Sequence, residues 1–330
     1  MEIENLIPHI LKVNYGIEAA KIEPCTGGWS ALAFKVTDEK DTYFLKVYDK
    51  NRASIVRWID AIENYTPLVK WLHDHTELKR NLADPILTNS QEYNGDDDRY
   101  VYVLSQYIEG STIGGGQLSR DEVSELARMI GVLHKSTAAI SRELKERQAK
   151  ELFEIDFCDS LSSFIHDDLQ KKDDIILKMV SPYTGVLLDN IERIKYVSRT
   201  LKDKTHQYVL CHADVHNWNI MRGENLMLID WECAKLAPVE QDLILIVTEP
   251  YARQFLDEYK RHIEYNTPDL DAYEFYYLKR ILEDIWEWIG DLRFEGLVKS
   301  EAETLEYLKL NLEACTRTGG FRPRIQNLFN

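Results

Sequence analysis

The feature that most constrains the fold is a change of hydrophobic rhythm near Ile108-Glu109-Gly110. Before it, β-like runs occupy residues 18–23, 32–37 and 42–48, with the turn-like Asp38-Glu39-Lys40-Asp41 separating the last two. A second pair, at 85–88 and 100–105, is joined by the polar stretch NSQEYNGDDD. Helical patterning covers the amphipathic N-terminus, residues 53–63, and residues 67–75, where Thr66 is a candidate cap and Pro67 suits a first-turn position. After Gly110 the pattern is that of long helices. The first is opened by Ser119, with Glu122 completing a capping box, and residues 157–204 and 241–317 continue in the same way. A chain of 330 residues with 44% hydrophobic side chains is long enough for two lobes. The expectation is an α+β protein with a small β-rich N-lobe (1–108) and a larger α-rich C-lobe (109–330), without internal repeats.

One hairpin interrupts the helices. Residues 211–232 read CHADVHNWNIMRGENLMLIDWE, in which Ile220-Met221 and Leu226 to Ile229 bracket the turn residues Arg222-Gly223-Glu224-Asn225. Asn219 and Asp230 lie equally far from the midpoint between Glu224 and Asn225, so closing the strands is expected to set these two side chains beside each other. An amide oxygen and a carboxylate, with Asp214 on the preceding loop, are suitable ligands for a hard cation that holds phosphate, namely Mg²⁺.

Charge narrows the partners. With 56 acidic and 40 basic residues the formal net charge is −16, which argues against nucleic acid or an anionic membrane surface and suits a cationic small molecule. Solubility alone is an equal explanation of that acidity. The five cysteines are odd in number, widely spaced and free of CxxC pairs, so neither a disulfide framework nor a zinc knuckle is expected. The N-terminus carries acidic residues where a signal peptide has a basic start, and no apolar run reaches membrane-spanning length; a cytoplasmic, soluble protein is expected.

His212-Ala213-Asp214-Val215-His216-Asn217-Trp218-Asn219 resembles the HGDLHxxN catalytic loop of the aminoglycoside phosphotransferase and choline kinase family, relatives of the protein kinases. Ile229-Asp230-Trp231 resembles the metal-binding IDW of that family, and Pro238 to Asp242 its downstream P-x-x-x-D. Order and spacing of all three agree, and the likeness runs along nearly the whole chain. Ala213 and Trp218 stand where glycines are common, and Gln241 where arginine is. The resemblance implies a two-lobed protein-kinase-like fold and phosphoryl transfer from ATP, or GTP, to a hydroxyl. Asp214 is then the group that orients the hydroxyl and accepts its proton, and Asn219 and Asp230 are the Mg²⁺ ligands. Lys46 is the phosphate lysine, Glu63 its ion-pair partner, and Gln106 and Ile108 are the hinge contacts to the base. Thr26-Gly27-Gly28-Trp29-Ser30 is the nucleotide-covering loop, with Gly27, Gly28 and Ser30 approaching phosphate. A GG turn in a β meander is most often only a turn. His212 and His216 are expected to brace the loop.

The acceptor is less constrained. In the helical stretch 280–291, Asp284, Trp288 and Asp291 fall at i, i+4 and i+7, an acid–aromatic face able to receive an ammonium. The same spacing suits a helix with its tryptophans in the core and its acids on a wet flank. The first expectation, by resemblance, is an aminocyclitol or aminoglycoside antibiotic such as spectinomycin, and hence a resistance enzyme; a metabolite such as choline, homoserine or methylthioribose is the alternative. A metal-dependent hydrolase using His212, Asp214 and His216, and a non-catalytic nucleotide-binding module, are the competing classes. No heptad seam or sticky edge indicates an oligomeric state.

Overall fold

The structure is a computed structural model that describes residues 2–25, 31–52, 55–168, 175–293 and 300–329. In chain order its elements are α1 (Glu2–Tyr15), β1 (Lys21–Pro24), β2 (Leu32–Thr37), β3 (Thr42–Asp49), α2 (Val56–His75), β4 (Pro85–Ile86), β5 (Gly95–Asp96), β6 (Tyr100–Gln106), β7 (Ser111–Thr112), α3 (Arg120–Ser136) and α4 (Arg142–Arg147). There follow α5 (Phe157–Asp168), α6 (Ile175–Val180), α7 (Thr184–Lys202), β8 (Val209–Cys211), β9 (Ile220–Arg222), β10 (Leu226–Leu228), β11 (Lys235–Ala237), α8 (Glu240–Leu243), α9 (Ala252–His262), α10 (Leu270–Arg293), α11 (Glu301–Cys315) and α12 (Phe321–Phe329). This is the expected α+β arrangement, sheet-rich in its N-terminal region and helical in its C-terminal region. Two compact units are formed, one from Met1–Ala149, Val209–Leu236 and Gln254–Glu264, the other from Lys150–Tyr208, Ala237–Arg253 and Tyr265–Asn330. No helix among the described residues is long and apolar enough to cross a membrane.

In the first unit the main sheet runs β1-β2-β3-β6-β4, with β5 also paired to β6. Period-two alternation sorts its side chains. Phe34, Val36, Leu45, Val47, Tyr102 and Leu104 form one face and pack with Ile3, Ile7, Ile10 and Leu11 of α1 into a single core. Ala33, Lys46 and Val103, which face one another in the β2-β3-β6 register, therefore belong to the opposite face. The polar stretch 89–98 is not wholly a loop, since Gly95 and Asp96 pair with Tyr102 and Val101.

Two expected helices merge. Residues 56–75 form one helix with Pro67 in its interior rather than at a first turn. The hydrogen bond that Pro67 cannot donate would have gone to the carbonyl of Glu63. Burial of Ile62, Tyr65, Leu68, Val69 and Leu72 outweighs that one loss and keeps the helix continuous. α3 begins as expected, with Ser119 and Glu122 each bonded to the other's backbone in a capping box.

In the second unit α10 is the central helix, packed against α5, α7, α8, α11 and α12. Its buried residues Phe275, Leu278, Leu282, Ile285 and Ile289 recur at three- and four-residue intervals, which is why one long helix can hold several neighbours.

Candidate active site

The hairpin β9-β10 pairs Ile220 with Leu228, Met221 with Met227 and Arg222 with Leu226. This register is centred on Glu224, half a residue from the expected centre, because the loop is the three-residue Gly223-Glu224-Asn225 closed by Gly223 N–H donating to the Asn225 carbonyl at 3.1 Å. Asn219 therefore lies opposite Ile229, whose N–H donates to the Asn219 carbonyl at 3.0 Å, and not opposite Asp230. Asp230 is re-aimed instead by its own backbone, in the left-handed region at φ 62° and ψ 69°. An aspartate tolerates that conformation at a cost of about 1–2 kcal/mol, a strain typical of functional positions.

The loop from β8 to β9 is braced from within. His212 is fully buried; its Nε2–H donates to the Ile229 carbonyl at 2.8 Å, its Nδ1 accepts the Asp214 N–H at 3.3 Å, and its ring packs edge-on to Trp231. Ala213 takes φ 68°, the conformation for which glycine is favoured. The buried Asn219 donates from Nδ2 to both the carbonyl and Oδ2 of Asp214, each at 2.9 Å. His216 lies 3.3 Å from Asp214 Oδ2 through Nε2 and accepts the Trp218 N–H through Nδ1. His216 thus touches the carboxylate expected to be catalytic, more than a general brace of the loop. With both ring nitrogens of His212 and of His216 engaged this way, the His-x-Asp-x-His metal site of the hydrolase reading is not assembled.

Lys46 projects from the sheet face opposite α1 to Asp230 Oδ1 and Glu232 Oε1, each 2.5 Å from Nζ. Glu63 is not its partner. That residue is exposed, and the position of α2 close to Lys46 is held by Tyr65, which is buried and hydrogen-bonded to Tyr48. Two residues on a helix differ by about 200°, so a helix that turns Tyr65 inward turns Glu63 out. Burial works against charge on Lys46, but the neighbouring Asp230 and Glu232 carboxylates more than offset it and hold the ammonium well above its ordinary range. Burial pushes the Asp230 carboxyl up, while Lys46, by charge and hydrogen bond, brings it below the usual range; the charge of Asp214 acts on it too.

The hairpin is tied down by residues that local patterning gave no reason to select. Asn81, fully buried, donates to the Leu226 carbonyl at 2.7 Å and to Glu125 at 2.9 Å, and accepts from Arg128 at 2.6 Å. Arg222 pairs with Glu122 of the α3 capping box. At the entry to β7 the backbones cross closely: a Cβ on Gly110 would sit 2.3 Å from the Arg222 carbonyl oxygen, and one on Gly223 2.7 Å from that of Glu109. Glu232, Tyr48, Tyr65 and Asn81 are thus site or support residues that the motifs did not reveal. The only sequence signal was the tyrosine two positions beyond Lys46 on the same strand face.

Gln106 ends β6, and its N–H donates to the Asp84 carbonyl at 2.9 Å; the Tyr107 N–H goes to Thr42. Among the described residues the Ile108 N–H makes no hydrogen bond to backbone. Gly27, Gly28 and Ser30 lie outside the described residues. Asp284, Trp288 and Asp291 belong to α10 in the second unit. Asp284 accepts from Arg280 at 3.2 Å, and burial lifts its carboxyl to about 6 against the opposing charge of Arg280. Trp288 stacks on Tyr307, ring centres 5.3 Å apart.

Both candidate ligand side chains offer hard oxygen donors. Asn219 commits its amide nitrogen to Asp214, leaving its oxygen as the atom for a cation, and Asp230 is 39% exposed. This donor set fits Mg²⁺.

Comparisons with known proteins agree with this fold. The sequence profile of the phosphotransferase enzyme family matches residues 21–276. No curated protein matches the sequence significantly. Among solved structures, the fold is similar to spectinomycin phosphotransferase in complex with ADP and spectinomycin, at TM-score 0.78 and 20% identity, covering 96% of this chain and 98% of that one. It is also similar to an amicoumacin kinase in complex with AMP-PNP and Ca²⁺ (TM-score 0.63, 13% identity, 94% and 92% covered) and to the choline kinase of Streptococcus pneumoniae (0.58, 15%, 96% and 99%). With the family's profile spanning most of its length and its kinase-like fold shared across those structures, the chain belongs to the phosphotransferase enzyme family, a small-molecule phosphotransferase with an alcohol group as acceptor.

Proposed function

We propose that the phosphoryl donor is ATP or GTP with Mg²⁺, and that the acceptor is a hydroxyl of a cationic aminocyclitol or aminoglycoside, spectinomycin-like in the first instance. The observation that carries this reading is the single cluster of Asp214, Asn219, Asp230 and Lys46 in the first unit.

In the reaction, a bond forms between the acceptor oxygen and the γ-phosphorus, the bond from that phosphorus to the β,γ-bridging oxygen breaks, and the nucleoside diphosphate leaves. Asp214 orients the acceptor hydroxyl and takes its proton; the hydrogen bonds to its Oδ2 fix the direction of the carboxylate before substrate arrives. Lys46 places positive charge where negative charge gathers on the phosphates. Asn219 and Asp230 would hold Mg²⁺, which when bound neutralises charge on the transferring group. Gln106 and Ile108 would receive the base through backbone groups, and Gly27, Gly28 and Ser30 would cover the phosphates. Ser105, beside the hinge, is small and leaves room for either purine.

For the acceptor, Asp284, Trp288 and Asp291 are proposed to supply an acid–aromatic face, in keeping with the net charge of −16. A metabolite carrying an amine satisfies the same chemistry and is the second reading. The deciding experiment is nucleoside diphosphate release from Mg-ATP and Mg-GTP across aminocyclitols, aminoglycosides, choline, homoserine and methylthioribose. Turnover with a metabolite alone removes the antibiotic assignment. Asp214→Asn is expected to abolish turnover while leaving nucleotide binding within a few-fold, and near-normal turnover would remove its catalytic role.

A further inference from the structure

We propose that Glu232 is the residue that holds Lys46 in place for the nucleotide, the task a carboxylate on the following helix was expected to perform. The proposal deepens the functional reading above and rests on it.

Lys46 lies between two carboxylates of unequal accessibility. The Asp230 side chain is 39% exposed and the Glu232 side chain 7%. A cation and phosphates arriving from solvent reach Asp230 first, and once Asp230 serves a metal its charge is shared. A lysine that depended on Asp230 alone would lose its anchor at the moment it was needed. Glu232 is the less accessible of the two. Its Oε1 takes both the Lys46 ammonium at 2.5 Å and the Tyr48 hydroxyl at 2.9 Å, and Tyr48 is fully buried with Tyr65 behind it. Tyr48 follows Lys46 by two residues on β3, on the same sheet face, so one strand presents both the lysine and a clamp on its partner.

The helix that would otherwise supply the carboxylate cannot do so here. α2 directs Tyr65 and Ile62 inward and leaves Glu63 exposed. Glu232 instead sits on the one-turn segment Trp231–Cys233 that directly follows Asp230, and α2 packs against that turn. The left-handed backbone at Asp230 opens this turn, so the metal ligand and the lysine anchor are set by the same backbone bend. Glu232 is accordingly a positioning residue, acting through Lys46.

The test is a set of nucleotide affinities measured with a fluorescent ADP analogue, with and without Mg²⁺, alongside KM for ATP, kcat and an unfolding curve for each variant. Glu232→Gln is expected to weaken binding in the absence of metal by about tenfold or more, the equivalent of about 1.4 kcal/mol. Glu63→Gln is expected to change it less than twofold, and Glu232→Asp to restore part of the loss. In a Lys46→Met background, Glu232→Gln is expected to cause no further loss, because its effect passes through the lysine. Equal losses for Glu63→Gln and Glu232→Gln, or full additivity with Lys46→Met, would overturn the proposal. Should Glu232→Gln fail to fold, Tyr48→Phe reads the same clamp: a several-fold loss of affinity supports it and an unchanged affinity refutes it. A wild-type protein that binds no nucleotide would overturn the functional reading and this proposal together, whereas binding untouched by Glu232→Gln overturns the proposal alone.

Discussion

Replacing Asn81 with alanine is expected to loosen the hairpin that carries the proposed metal ligands, at a cost well above that of an ordinary polar substitution. Asn81 has no exposure and makes three hydrogen bonds, one to the Leu226 carbonyl of β10 and two to the charged Glu125 and Arg128. A bond to a neutral carbonyl contributes about 1 kcal/mol and each bond to a charged group about 1.5–3 kcal/mol. Glu125 and Arg128 keep their own two bonds, both 2.8 Å, so part of the loss is recovered. The Leu226 carbonyl has no such recourse, and the net expectation is about 3–4 kcal/mol. Asn81→Asp is expected to cost at least as much at neutral pH, since it removes the amide donor and sets a second carboxylate beside Glu125. Urea unfolding of both variants, with hydrogen exchange at the amides of β9 and β10, measures the effect. A loss below about 1 kcal/mol for the alanine variant, or unchanged protection of the hairpin, would refute the view that this side chain ties the strands down.

Ala213→Gly relieves a left-handed backbone and is expected to raise stability by about 1 kcal/mol, read from the urea midpoint; a fall would mean that the loop relies on the alanine methyl. Glu122 is brought down to about 2 by its hydrogen bond from Arg222, against burial, and Glu125 likewise by Arg128. Folded carboxylates with depressed values hold proteins together above the unfolded value, so this contribution is expected to be complete above pH 4.5 and to drain away as pH falls towards 2. Glu122→Gln should flatten that part of the acid-unfolding curve. Asp284 has the opposite sign: burial lifts it to about 6, so the folded state binds its proton more tightly and stability is lost as pH rises from 3.8 through 6. Asp284→Asn is then expected to raise the urea midpoint at pH 7.5 and leave it unchanged at pH 3, a difference that equal effects at both pH values would refute.

What could be read from the sequence was whatever the chain writes locally. The strands from residue 32 to 49, the capping box of Ser119 and Glu122, and the loop of Asp214 and Asn219 each depend on neighbours a few positions away, and periodicity or motif spacing reports these directly. The register of the hairpin slipped by half a residue because a turn of Arg-Gly-Glu-Asn composition accommodates either a four- or a three-residue loop, and composition does not choose between them. Pro67 was read as a helix start because its local meaning is a boundary; only the burial of Tyr65, Leu68 and Val69 overrides it. The family resemblance points to Glu63, on the helix that follows Lys46, whereas the partner observed comes from 186 residues away. Asn81 was invisible for the same reason, its three bonds all reaching elements far along the chain.

The close crossing of the chain at Gly110 and Gly223 has a consequence for segment exchange. Each glycine is made necessary by a carbonyl beside the other, Arg222 in one case and Glu109 in the other, so a side chain at either position is blocked by backbone that no rotamer change can move. The segment entering β7 and the hairpin turn are therefore sterically interdependent although far apart in the sequence. A chimera that exchanges either segment with a relative's is expected to fail unless the other travels with it.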